Sequence, residues 1–203
     1  MPNHFQMLNR FITNLVAMPE AELLDFNLKC EKVEFAKGTL IMKAGEPQDC
    51  LYFITKGLVK NYINTDTGES KIYNFRTENM QVTGYALYNY KENLKALVNV
   101  RCIEDCVMIK VPFSVIQHVI EHTKNGERLG RYMAECHVIE MMQYIIERDS
   151  ISIIDRYNGL ELKYPNIHNR LPQHMIASYL GITPVHLSNL KKNRKIILEE
   201  MNT

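Results

Sequence analysis

Between Thr183 and Arg194 the chain carries side chains that hydrogen-bond or hold charge, rather than side chains that make and break covalent bonds. Asn189 has the paired donor and acceptor that fit an adenine edge, His186 can donate to a guanine acceptor, and Val185 can meet a thymine methyl. Lys191, Lys192 and Arg194 follow as point charges suited to phosphate. Thr183 is a good helix N-cap, and Pro184 suits the first helical position, where its missing N–H is not needed. Ser188 shares the outward face with His186 and Asn189. That chemistry is recognition of double-stranded DNA. The charge pattern supports it: no Asp or Glu occurs from Pro165 to Leu198, whereas Arg170, Lys191, Lys192, Arg194 and Lys195 all fall inside. Such one-signed charge suits a phosphate-contacting surface.

These side chains need a frame, and the segment QHMIASYLGITPVHLSNLKK (173–192) has the spacing of a helix-turn-helix. Ala177 stands where two helices must approach closely. Gly181, four residues on, falls where the first helix must end, and glycine accepts a helix-terminating positive φ without steric cost. Ile176, Leu180, Ile182, Leu187 and Leu190 supply the buried faces, and a turn of three to four residues joins the helices.

Rival chemistries lack their residues. The five cysteines are odd in number and scattered, which fits reduced thiols in cytoplasm. Cys102 and Cys106 lie four apart in RCIEDCVMIKV, which reads as one strand, with the two thiols on one face about two pleats apart and too distant for one tetrahedral ion. A metal-dependent jelly-roll enzyme needs histidines and a carboxylate on barrel strands, but all seven histidines lie outside residues 32–112. No G-x-S-x-G, Walker loop or H-E-x-x-H occurs. The chain is therefore expected not to be an enzyme and to need no metal or cofactor.

At 203 residues, 46% hydrophobic and 23% charged, the chain can form one large or two small globular domains. No run of 18 apolar residues is present, so no membrane contact is expected, and the N-terminus does not read as a secretory signal. Residues 3–30 read as helical, with a second helix from Pro19 carrying Glu20 and Glu22 in its first turn. From Lys32 to Val111 short β segments alternate with turns, TDTG (65–68) being a hairpin signal, and the glycine spacing suggests a β-barrel or jelly roll. Helical period returns over 113–121 and 127–149. In the longer helix, Leu129, Tyr132, Cys136, Ile139 and Ile146 recur at alternating steps of three and four, with Gln143 interrupting, and Val138, Met141, Met142 and Ile145 lie beside them. So broad an apolar arc must bury against two bodies, its own barrel and a partner copy in a parallel two-stranded contact.

The segment FAKGTLIMKAGEPQDCLYFITKGLVKNY (35–62) resembles the opening of a cyclic-nucleotide-binding β-roll, through Phe35, Gly38, Ile41, Gly45, Tyr52, Ile54 and Gly57. Followed by a long helix and a helix-turn-helix, it is similar to the Crp/Fnr family of bacterial transcription regulators over nearly the whole chain. Residues 170–192 most resemble the branch found in Bacteroidetes. The resemblance implies a pocket in which an acid, an arginine and a hydroxyl residue hold a cyclic phosphate. Counting back from CIEDCVMIKV puts these at Ala86, Ala96 and Leu97, all apolar here. Lys95 is adjacent but on the opposite strand face, and a lysine cannot form a bidentate fork to phosphate. Cyclic AMP is therefore not expected as effector. Tyr85, in the tyrosine-rich stretch 84–91, could line a pocket for another molecule, or the stretch could fill its own core. In the best-known family members an arginine, a glutamate and a second arginine stand at the positions of Pro184, Val185 and Asn189, so the usual operator of the family is not expected either.

The expected architecture is α+β: a cyclic-nucleotide-binding-like β-roll (double-stranded β-helix or jelly roll) with N-terminal helices over 1–125, a dimerisation helix over 126–149, and a winged-helix-like helix-turn-helix domain over 150–203. The expected function is that of a cytoplasmic, homodimeric DNA-binding transcription regulator, with an unidentified effector and RNA polymerase as a further partner. The alternative is a small-molecule or protein-binding sensor of the same fold that does not act through DNA.

Overall fold

The computed structural model describes residues 3–83 and 95–201, with side chains as far as Lys192. Helix α1 (His4–Leu15) starts at Asn3, whose side chain caps the Phe5 N–H, and buries Leu8 and Ile12. Helix α2 (Glu20–Leu28) starts at Pro19, with Glu20 and Glu22 in its first turn as expected. The β region comprises β1 (Glu31–Phe35), β2 (Leu40–Met42), β3 (Cys50–Lys56), β4 (Val59–Asn64), β5 (Ser70–Arg76), β6 (Gln81–Val82), β7 (Asn99–Cys102) and β8 (Cys106–Pro112). They form two antiparallel sheets, ordered β1-β8-β3-β6 and β2-β7-β4-β5. The Thr65–Gly68 turn joins β4 to β5, Gly68 N–H donating to the Thr65 carbonyl at 2.9 Å.

Pleating sorts the strand residues. On β3, Ile54 faces the roll interior, where it meets Met42, Val59, Val82, Val100 and Met108. Leu51 and Phe53 face the other way, with Ile109 and Val111 of β8, onto α1 and the helices that follow β8.

Residues 101–111 are not one strand. Cys102 ends β7 in one sheet and Cys106 begins β8 in the other, with Ile103–Asp105 turning the corner between them. The apolar spacing of the segment mimics a continuous strand, but the chain here changes sheets, so the two cysteines sit in different sheets around one core rather than two pleats apart on one strand.

Helix α3 (Phe113–His122) leads directly into α4 (Gly126–Ser150). The join is tight. Thr123 donates to the Val119 carbonyl through both its N–H and its hydroxyl, at 3.1 and 2.8 Å. A Cβ placed on Gly126 would stand 1.9 Å from that same oxygen. The first two turns of α4 bury Leu129 and Met133 against α1, α3 and the roll, with Tyr132 packed beside them.

Beyond α4 come α5 (Ile153–Lys163), the short α6 (Ile167–Arg170), α7 (Gln173–Leu180) and α8 (Pro184–Met201). After Pro112 the described residues form helices only, so the strands of a wing have no counterpart among them. None of the described helices is long and apolar enough to cross a membrane.

Candidate nucleic-acid interface

Helices α7 and α8 meet as the sequence spacing predicts. Ile176 and Ala177 are fully buried, and Gly181 ends α7 at φ +76°, where a β-carbon would be strained. Ile182 then folds back, its N–H donating to the Ala177 carbonyl at 3.0 Å. Thr183 caps α8, its hydroxyl accepting from the His186 N–H at 3.2 Å, and Pro184 is the first helical residue. Leu187 is 1% exposed and anchors the helix, with Leu190 half-buried behind it.

The opposite face of α8 is open. Thr183, Pro184, Val185, His186, Ser188, Asn189, Lys191 and Lys192 are all exposed, so one side of the helix offers the predicted base-reading and phosphate-binding groups together. Lys191 Nζ donates to Gln173 Oε1 at 3.3 Å, closing a groove that Pro184, Ser188 and Lys192 also line. The side chain of Arg194 lies outside the described residues.

Arg170 does not belong to that surface. Its guanidinium donates to Glu78 at 3.0 Å through both Nη atoms, to the Thr77 hydroxyl at 2.8 Å, and to both oxygens of Glu104. Glu78 and Glu104 belong to the β-roll side of the molecule, so this arginine fastens the C-terminal helices to the roll. Further ties run the same way. The Ser178 hydroxyl donates to the Ser70 carbonyl at 3.0 Å and accepts from the Ile72 N–H. Arg76 of β5 makes a two-pronged bond to Glu140 of α4, at 2.6 and 2.8 Å. Phe75 of β5 packs on Tyr164 and Tyr179, in a cluster that joins Leu58, Ile72 and Ile103 to the helix-turn-helix core.

Residues 32–123 match the cyclic nucleotide-binding domain family. Over 186 residues the chain is 29% identical to the anaerobic regulatory protein of Pasteurella multocida, covering 84% of this chain and 65% of that one. The chain thus spans less than two-thirds of that relative's length. The fold is similar to that of FixK2 from Bradyrhizobium japonicum (TM-score 0.69, 15% identity, 81% of this chain and 83% of that one). It is also similar to CLP, the c-di-GMP responsive global regulator of Xanthomonas campestris (TM-score 0.67, 12% identity, 88% and 92%).

Residues 32–123 thus carry a cyclic nucleotide-binding domain, and the chain as a whole shares the fold of FixK2 and CLP.

Two expectations about the chain change with the structure. Of the predicted dimer seam, Leu129 is buried inside its own chain and Tyr132 is largely so, because the foot of α4 is taken up by α1 and α3. Cys136, Ile139 and Ile146 are exposed, together with Val138, Met141, Met142 and Ile145. The apolar arc is therefore split along the helix axis, its first turns facing inward and its later turns facing out.

The pocket residues also divide. Ala96 is buried, its N–H donating to the Glu46 carbonyl and its own carbonyl accepting from Gly45. Lys95 is exposed beside it, as strand alternation requires. Leu97 is 68% exposed, so it does not stand beside Ala96 on a shared pocket wall. Tyr85 and Ala86 lie outside the described residues. Sequence reasoning missed Glu78 and Glu104 altogether. Neither belongs to a motif, and both gain meaning only from Arg170, 92 and 66 residues further on.

Proposed function

We propose that this chain is a homodimeric, sequence-specific DNA-binding transcription regulator of the Crp/Fnr type, with RNA polymerase as the partner through which it acts. The observation that carries this reading is the open face of α8. It carries base-reading groups near its start and lysines further along, and the buried Leu187 holds it rigidly. Selection of bound duplexes from a random pool tests it. Asn189→Ala should relax preference at one base pair per half-site, a loss of about 1–3 kcal/mol of discrimination. Lys192→Ala should weaken all sequences alike and lower the salt slope by about one unit. An unchanged motif from the Asn189→Ala protein would remove Asn189 from base reading.

Two copies are required for paired half-sites about one helical turn apart. The exposed apolar stretch of α4 from Val138 to Ile146 supports a parallel helix pair across the two-fold axis. Sedimentation should give twice the 23.7 kDa chain mass. Ile139→Glu should shift the protein to monomer, because an unpartnered buried charge costs several kcal/mol. A wild-type monomer at micromolar concentration would refute the pairing.

Within the roll, the exposed Lys95 and the apolar Ala96 supply no guanidinium for a cyclic phosphate. Desolvating a phosphate monoanion without such a partner is costly. Calorimetric titration with cyclic AMP and cyclic GMP should show no saturable submillimolar binding, and binding of either would assign the phosphate to residues other than these.

A further inference from the structure

A pocket of about 40 Å³ lies between the β1-β8-β3-β6 sheet and the helices that cover it. Leu8 and Ile12 of α1, Leu51 and Phe53 of β3, and Leu129 and Met133 of α4 supply much of its wall. Among the described residues that line it, Gln81 alone is polar. Gln81 of β6 is the cross-strand partner of Phe53, so pleating turns both side chains to the helix-covered face. Its Oε1 is buried there with no hydrogen-bond partner. A buried carbonyl oxygen left unmatched carries its whole desolvation penalty, so this one favours any ligand that brings it a donor.

Phe11, Gln81 and Met133 also line an adjoining cleft of about 170 Å³, whose wall continues past Met80 to Arg76 and Glu140. An apolar recess therefore meets a more polar cleft, and Gln81 stands where the two join. The charge at the cleft is already balanced, because Arg76 donates to both oxygens of Glu140 at 2.6 and 2.8 Å.

These features select a ligand. An apolar wall favours hydrocarbon. At about 40 Å³ the recess is well below the roughly 150 Å³ of a cavity that takes benzene, so the end of a chain fits where a ring does not. A carboxylate would meet Glu140 with no cation left over for it. A hydroxyl is neutral and supplies the donor that Gln81 lacks.

We propose that this pocket binds a neutral straight-chain alcohol, its alkyl end in the recess and its hydroxyl donating to Gln81 Oε1 at the edge of the cleft. The ligand then rests on Leu129 and Met133, in the first turns of the helix whose later turns are open. A consequence for operator binding rests on the regulator reading, whereas the binding itself does not.

Calorimetric titration of the full-length protein with straight-chain butanol, pentanol and hexanol tests this. Saturable binding at one site per chain is expected, about fourfold tighter for each added carbon. Hexanoate should bind about tenfold more weakly than hexanol, and phenol should show no saturable binding. Gln81→Leu should weaken hexanol about tenfold, and by removing the unmatched oxygen it should leave the urea midpoint unchanged or higher. Ile12→Phe should fill the recess and abolish binding. The proposal is overturned if none of the alcohols saturates, if hexanoate or phenol binds as tightly as hexanol, or if the Gln81→Leu protein binds hexanol as the wild type does. The wild-type series and Gln81→Leu decide this even if Ile12→Phe fails to fold. Duplex binding measured with and without hexanol separates the two readings: saturable hexanol binding without any DNA affinity would sink the regulator reading and leave the pocket standing.

Discussion

Gly126→Ala is expected to cost about 3 kcal/mol or more of stability, read as a fall in the urea midpoint at unchanged slope. The added methyl would sit 1.9 Å from the Val119 carbonyl oxygen and 2.7 Å from its carbon. No side-chain rotation relieves this, because the obstacle is backbone already fixed by two hydrogen bonds from Thr123. Either the end of α3 or the start of α4 must shift, and both are packed through Val119, Leu129 and Met133 onto the roll. Alanine is normally the better helix residue by roughly 0.8–1 kcal/mol, so even a neutral result would contradict this geometry. A midpoint within about 0.5 kcal/mol of wild type would mean that the α3–α4 junction is looser than described.

Arg170→Ala removes the cation that bridges two carboxylates and leaves Glu78 and Glu104 facing each other. Side-chain exposure is 20% for the arginine and 34% for each glutamate. The expected loss is therefore about 2–3 kcal/mol, below the roughly 3–5 of a fully buried pair and above the ~1 of a surface pair. Arg170→Lys should recover only part of it, since one ammonium cannot reproduce a five-donor fork. The same site predicts a pH dependence. Burial by itself would raise the Glu78 carboxyl, but Arg170, the Thr77 hydroxyl and the Gly57 N–H outweigh it and hold its pKa at about 2, against an ordinary 4.5. Glu78 therefore takes up a proton more readily in the unfolded chain. Its contribution is complete above about pH 4.5 and is lost as the pH falls toward about 2. Glu78→Gln should flatten that part of the stability profile; an unchanged acid limb would show that Glu78 is not depressed.

Local patterns were readable wherever burial follows a short period. Ala177, Gly181, Thr183 and Leu187 stand as their spacing predicts, because a helix-turn-helix places steric demands at fixed intervals within one short segment. The strands were readable as short apolar runs between turns, although the central ones are covered on both faces, as on β3, where Leu51 and Phe53 pack one way and Ile54 the other. Long-range pairings were not readable. Arg170 looks like one more basic residue in an acid-free stretch, and nothing near it in the chain announces partners 66 and 92 residues earlier. Leu129 shares the period of Ile139 and Ile146, but period identifies an apolar face and not the neighbour that covers it. The corner at 103–105 has neither glycine nor proline, so its apolar flanks read straight through the turn.

The packing of Phe75, Ile72, Leu58 and Ile103 among Tyr164, Tyr179, Ile176 and Leu187 also bears on how such a chain can change over generations. The C-terminal helices complete their interior with side chains lent by the roll, so they are not a cassette that can be moved intact onto another roll. A substitution on the outer face of β5 asks for an answering change on α7, and the two halves are bound to drift together. Invention is left to the surfaces outside this shared interior, the open side of α8 above all, which can be rewritten without disturbing what lies beneath.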